Sequence, residues 1–161
     1  MLDHQTFLSV VSNAPLISID LILMSGKKIL LGLRKNSPAK GFWFVPGGRI
    51  LKNETISKAL LRIADKELSI GALIENGQLD VTFYGTYEHF YDDCFAEEAK
   101  ISTHYVVLAH KIDLPENVAL PPTDEQHLEF KWWSINELLN AENVHQYSKN
   151  YFIDNMALVG K

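Results

Sequence analysis

A short aromatic run at residues 41–45 stops at Pro46-Gly47-Gly48 and gives way to a helical pattern. Ile56, Ala59, Leu60, Ile63 and Ala64 recur at helical spacing through about residue 68, so one face of this helix must bury against another layer. Asn53 reads as its N-cap, with Glu54 in the first turn where a carboxylate suits the helix dipole. Strand-like runs lie on both sides. Residues 16–24 and 29–33 read as strands joined by a turn at Ser25-Gly26-Lys27-Lys28, and 81–89, 104–112 and 129–133 as three more. Ser134 can cap a small helix through Leu139, and residues 147–158 read as a closing helix. Strands mixed with two or three helices imply an α/β layered domain.

A chain of 161 residues with 47% apolar content suits one domain with a single sizeable core, spanning 1–161. The longest apolar runs, such as 106–109 and 21–24, are far too short to span a bilayer. The early Asp3 and His4 do not resemble the basic start of a signal peptide. The lone Cys94 leaves no internal disulfide framework and fits a reducing compartment, so the expected location is the cytoplasm. A formal charge of −5 argues against broad nucleic-acid binding, which needs a basic face. An anionic small ligand is compatible with it only if arginines converge locally.

Gly48, Glu54, Arg62, Glu67 and Ile70 match, in register, the pattern G-x5-E-x7-R-E-U-x-E-E-x-G-U, where U is a bulky aliphatic residue. The segment resembles a degenerate Nudix box, the signature of hydrolases acting on nucleoside diphosphates linked to another group. Ile63, Ala64, Lys66 and Ser69 depart from it. In the intact pattern, carboxylates at positions 63, 66 and 67 would share one helix face. Such a cluster of hard oxygens gathers several magnesium ions on a pyrophosphate. This chain keeps only Glu67, from which one metal ion and an altered point of attack are inferred.

These losses resemble those of the GDP-mannose mannosyl hydrolases, a Nudix subfamily. The likeness also runs through Pro15-Leu16-Ile17-Ser18-Ile19-Asp20, Leu30-Leu31-Gly32-Leu33-Arg34, Glu88-His89-Phe90-Tyr91-Asp92-Asp93, Thr103-His104-Tyr105-Val106-Val107 and Asp124-Glu125-Gln126-His127. The resemblance implies an α/β/α Nudix sandwich with a mixed β-sheet, and cleavage between sugar C1 and oxygen with inversion. It further implies GDP-mannose or GDP-glucose as substrate, one Mg2+ (or Mn2+) per active site, and a homodimer. By the same resemblance Glu67, Gln126 and the Gly47 carbonyl are the metal ligands, and His127 is the general base. Arg34 is the leaving-group partner, Arg49 lies near the metal and phosphates, and Asp20 faces the sugar with His89. Tyr105 and Phe7 are the remaining expected substrate contacts.

Each residue also has a plainer role open to it. Glu67 can be a solvated helix glutamate, Gln126 a loop glutamine and His127 a surface histidine. Arg34 can be a strand-end surface charge and Asp20 an edge-strand aspartate. Tyr105 and Phe7 can serve as packing. Arg62 can stabilise charge on the substrate or pair with Glu54 and brace the loop; the two readings stand level. The run Tyr91-Asp92-Asp93 reads as a solvated turn, and Phe42, Trp43, Phe44, Trp132 and Trp133 read as core. Two other functions stay open: a pyrophosphatase cutting P–O of a nucleotide sugar, and an inactive nucleotide-sugar sensor.

Overall fold

The computed structural model describes residues 3–93, 101–115 and 127–158. Its elements in chain order are α1 (His4–Asn13), β1 (Leu16–Ser25), β2 (Lys28–Arg34), β3 (Trp43–Phe44), β4 (Gly47–Arg49), α2 (Ile56–Leu68) and α3 (Gly71–Glu75). There follow β5 (Val81–Tyr91), β6 (Thr103–Asp113), β7 (His127–Ser134), α4 (Ile135–Asn140) and α5 (Gln146–Leu158). The sheet runs β3-β2-β1-β6-β5, with β4 also paired to β1 and β7 to β2. It is mixed: β1 and β6 run parallel in register from Leu16↔Tyr105 to Met24↔Asp113, and the other pairings are antiparallel.

A strand buried on both faces needs apolar side chains in both alternating sets, and β1 supplies them. Ile19, Leu21 and Leu23 pack with Ala59, Leu60, Ile63, Ala64 and Leu68 of α2. From the opposite face Ile22 packs with Ile29, Leu31, Trp133, Leu138 and Tyr151, beneath α4 and α5. Helices therefore cover both faces of the sheet, and the expected α/β/α sandwich with a mixed sheet is the fold observed. Among the described residues, no helix is long and apolar enough to cross a membrane.

Several elements differ from the sequence reading. The helix cap is Thr55, whose side chain accepts from the Lys58 N–H at 3.2 Å, while Asn53 sits in a left-handed turn at φ 68°. Glu54 therefore precedes the helix. The aromatic strand shortens to Trp43–Phe44, because the Phe42 N–H donates to the Ala39 carbonyl at 3.1 Å in a turn just before it. Gly47–Arg49 forms a strand of its own against β1, where the sequence reading has only the end of the aromatic strand. The helices α1 and α3 were not anticipated, and β5 runs on to Tyr91, past the expected end at His89. Ser134 caps α4 as expected, in a capping box with Glu137.

Candidate active site

The Pro-Gly-Gly segment is held by close approach. A Cβ on Gly47 would lie 2.6 Å from both Asp20 Oδ1 and the Ile19 carbonyl oxygen, and one on Gly48 would lie 3.2 Å from Ile63 Cγ1. Glycine at both positions lets β4 sit tightly between β1 and α2. The Leu21 N–H donates to the Pro46 carbonyl, and the Ile50 N–H to the Ile17 carbonyl. With alternation along the strand, residues 46, 48 and 50 thus face β1, and the carbonyls of Gly47 and Arg49 face away from it. The Arg49 carbonyl accepts from Arg62 Nη2 at 2.9 Å. The Gly47 carbonyl points out on the same side.

Beside that edge, Arg62, Ile63, Lys66 and Glu67 of α2 line a cleft of about 510 Å³. Glu67 is only 3% exposed, and Ile63 is buried beneath Gly48. Arg62 is doubly bound by Glu54, Nε to Oε1 at 2.7 Å and Nη2 to Oε2 at 2.8 Å. The Arg62 hydrogen bonds hold the Glu54 carboxyl at about pKa 2, with the Leu51 N–H donating to the same group. The brace weighed from the sequence is present, and Arg62 still borders the cleft. Arg49 lies with its guanidinium carbon 4.2 Å from the centre of the Phe7 ring, the distance of a cation–π contact.

Behind the Asp20 and His89 side of the cleft lies α5, which bonds three strands or their flanks. Tyr147 stacks on His89 at 4.1 Å, and its hydroxyl donates to the Phe90 carbonyl and accepts from the Phe90 N–H, both at 2.7 Å. The buried Ser148 Oγ accepts from the Val45 N–H at 3.1 Å. The Tyr151 hydroxyl donates to Asp20 Oδ2 at 2.5 Å. Burial pushes the Asp20 carboxyl up to about 7, against the opposing pull of that hydrogen bond and the Arg34 charge. His89 is driven down to about 3 by burial, with the nearby His145 adding to the effect, so its ring is neutral at physiological pH.

Of the expected site residues, Asp20, Arg34, Gly47, Arg49, Arg62, Glu67, His89 and Tyr105 line this one cleft. Phe7 does not line it and meets the site through Arg49. Arg34 is half-buried, and its Nε makes no hydrogen bond among the described residues. Gln126 lies outside the described residues, as does the side chain of His127; the His127 backbone is paired with Arg34. Tyr91 corrects the expectation of a solvated turn. It ends β5 and lines the cleft, and burial raises its hydroxyl pKa, while Asp92 and Asp93 are exposed in the bend beyond.

Phe44, also read as core, is buried yet borders the cleft. Tyr151 carried no local signal, since its partner lies 131 residues away in the chain. Lys66 did carry one, standing where the box calls for a carboxylate.

A family model described as NUDIX domain matches residues 15–154. The chain belongs to the Nudix family. The low-salt glycan biosynthesis protein Agl8 of Haloferax volcanii is 39% identical over 144 residues, covering 89% of this chain and 83% of that protein. The MutT protein of Methanosarcina mazei Go1 superposes with a TM-score of 0.65 at 19% identity, over 92% of this chain and 99% of that one. The Nudix domain of Shewanella oneidensis NrtR, solved with ADP ribose, gives 0.64 at 17% identity, over 96% and 99%. At such identities the two structures speak for the fold.

Nudix hydrolases generally use divalent metals such as Mg2+. The residues here fit a hard cation: a buried carboxylate at Glu67 and an outward carbonyl at Gly47, on one cleft edge. Among the described residues, no group of three or more His, Cys, Asp and Glu side chains could hold a metal. A cation at this edge would therefore rely on neutral and substrate oxygens beside Glu67.

Proposed function

We propose that this Nudix hydrolase cleaves a GDP-hexose, GDP-mannose first among candidates, at the sugar carbon C1 with inversion. The observation that carries the reading is the make-up of the α2 face. Of the three box positions that bring carboxylates to a Nudix cleft, 63 holds a buried isoleucine, 66 a lysine and only 67 a glutamate. That donor set is too poor in anionic oxygens to gather several metal ions around a phosphorus atom. One divalent cation, Mg2+ or Mn2+, bound by Glu67, Gly47 and Gln126, would neutralise charge on the departing diphosphate.

The remaining chemistry belongs to the chain's own groups. In this reading His127 takes a proton from water as its oxygen bonds to C1. The C1–O bond breaks, its electron pair leaves on the β-phosphate oxygen of GDP, and Arg34 and Arg49 stabilise that charge. Asp20 contributes, when ionised, a carboxylate able to stabilise positive charge developing at the sugar ring. Nucleophile and leaving group lie on opposite faces of C1, so a single displacement inverts it.

Turnover of GDP-α-mannose in 18O-labelled water tests the bond that breaks. The label should enter mannose and not GDP, and NMR before mutarotation should show β-mannose first. Label in a phosphate, or release of mannose 1-phosphate and GMP, overturns the reading in favour of a pyrophosphatase. No turnover of any nucleotide sugar would leave a binding protein.

A further inference from the structure

We infer that Lys66 is a diphosphate-binding residue, a fixed positive charge standing where other boxes carry a metal-binding carboxylate. The inference rests on reading the cleft as a nucleoside-diphosphate site. Its basis is geometric. Residues 62, 63, 66 and 67 share one face of α2, and all four line the cleft. Arg62 is already bound to Glu54 and to the Arg49 carbonyl. Lys66 is exposed, makes no ion pair among the described residues, and neighbours the buried Glu67 directly in sequence. Its long flexible stem lets the ammonium reach into the cleft from the helix surface.

Charge counting shows what this substitution changes. Carboxylates at 63, 66 and 67 would place a formal charge of about −3 on this face, and a bound diphosphate diester adds about −2. Neutralising such a sum takes two or three divalent ions. With Ile63, Lys66 and Glu67 the helix face is formally neutral, and one divalent ion balances the diphosphate. Lys66 thus does more than delete a ligand, because it reverses the sign at that position. A glutamate there would return the sum to about −4 and ask for a second ion.

The test uses the full chain and the variants Lys66→Gln and Lys66→Glu, chosen because an exposed helical position tolerates both. Calorimetry with GDP, ADP and guanosine in EDTA reads the metal-free contact. Lys66→Gln should weaken GDP binding roughly tenfold, with guanosine unchanged, as expected for losing one charge-assisted contact. Unchanged GDP affinity, or an equal loss for guanosine, overturns the inference. If the wild-type chain ignores GDP but binds ADP, the guanine assignment fails, and the Lys66 effect is then read on ADP. Counting Mn2+ by electron paramagnetic resonance with GDP present gives a second readout. Lys66→Glu should hold one ion more than the wild type, and an equal count refutes the charge-balance argument.

Discussion

Replacing Tyr151 with phenylalanine removes one hydroxyl from a fully buried ring and leaves Asp20 Oδ2 without its 2.5 Å donor. A hydrogen bond to a charged group contributes about 1.5–3 kcal/mol, and an orphaned buried partner puts the cost near the upper end. The cost depends on pH in a specific way. Asp20 titrates at about 7 in the folded chain against 3.8 for an ordinary aspartate, so the native state holds the proton more tightly. The stability contributed by this group is complete below about pH 3.8 and is lost as the pH rises through 7, a loss of roughly 4 kcal/mol in all. Arg34 and the Tyr151 hydroxyl both favour the ionised form, and without the hydroxyl the loss continues to higher pH. Tyr151→Phe should therefore cost under about 1 kcal/mol near pH 6, where the carboxyl is mostly neutral, and about 2–3 kcal/mol near pH 8.5. Urea unfolding of the metal-free protein at both values reads the difference directly. An equal penalty at the two pH values would refute the reasoning, because it would mean the hydroxyl does not discriminate the charged form.

Four further outcomes are expected. Ser69 ends α2 in the left-handed region at φ 55°, so Ser69→Gly should stabilise by about 1 kcal/mol and raise Tm by a few degrees in calorimetry. In Gly47→Ala the new Cβ meets the Ile19 backbone carbonyl at 2.6 Å, which no side-chain movement relieves, and thermal unfolding should show a loss of about 1–3 kcal/mol. Glu54 titrates at about 2 in the folded chain, below its ordinary 4.5, so its pairing with Arg62 stabilises above pH 4.5 and fades as the pH falls toward 2. Acid unfolding of Glu54→Gln should be flatter across that window than that of the wild type. His127→Gln should lower kcat roughly a hundredfold with little change in KM, as measured in steady-state kinetics.

The layered fold was legible because its strongest signals are local. The helical spacing of Ile56, Ala59, Leu60, Ile63 and Ala64 and the apolar run of β1 each report a burial pattern that neighbouring residues already display. The cleft was legible only where a motif carried it, at Asp20, Arg34, Gly47, Arg49, Arg62, Glu67, His89 and Tyr105. Elements made by distant pairing were not. β4 is three residues long and owes its strand geometry to Ser18, Ile19 and Asp20 across the gap. The helix start moved from Asn53 to Thr55 because Glu54 is held outside the helix by Arg62, a contact between residues eight apart. Tyr91 and Tyr151 look like ordinary aromatic residues of a strand and a helix until the cleft between them is in view.

The contact between α5 and Asp20 also bears on the order in which the chain becomes competent. Asp20, Val45 and Phe90 are made by the ribosome well before Ser148 and Tyr151, which hold two of them in place, and chains tend to fold from the N-terminal side during synthesis. A nascent chain could thus close its sheet around β1 while the acidic wall of its cleft was still unsupported. The end of the cleft built around Asp20 would have to wait until residue 151 had emerged to bond it.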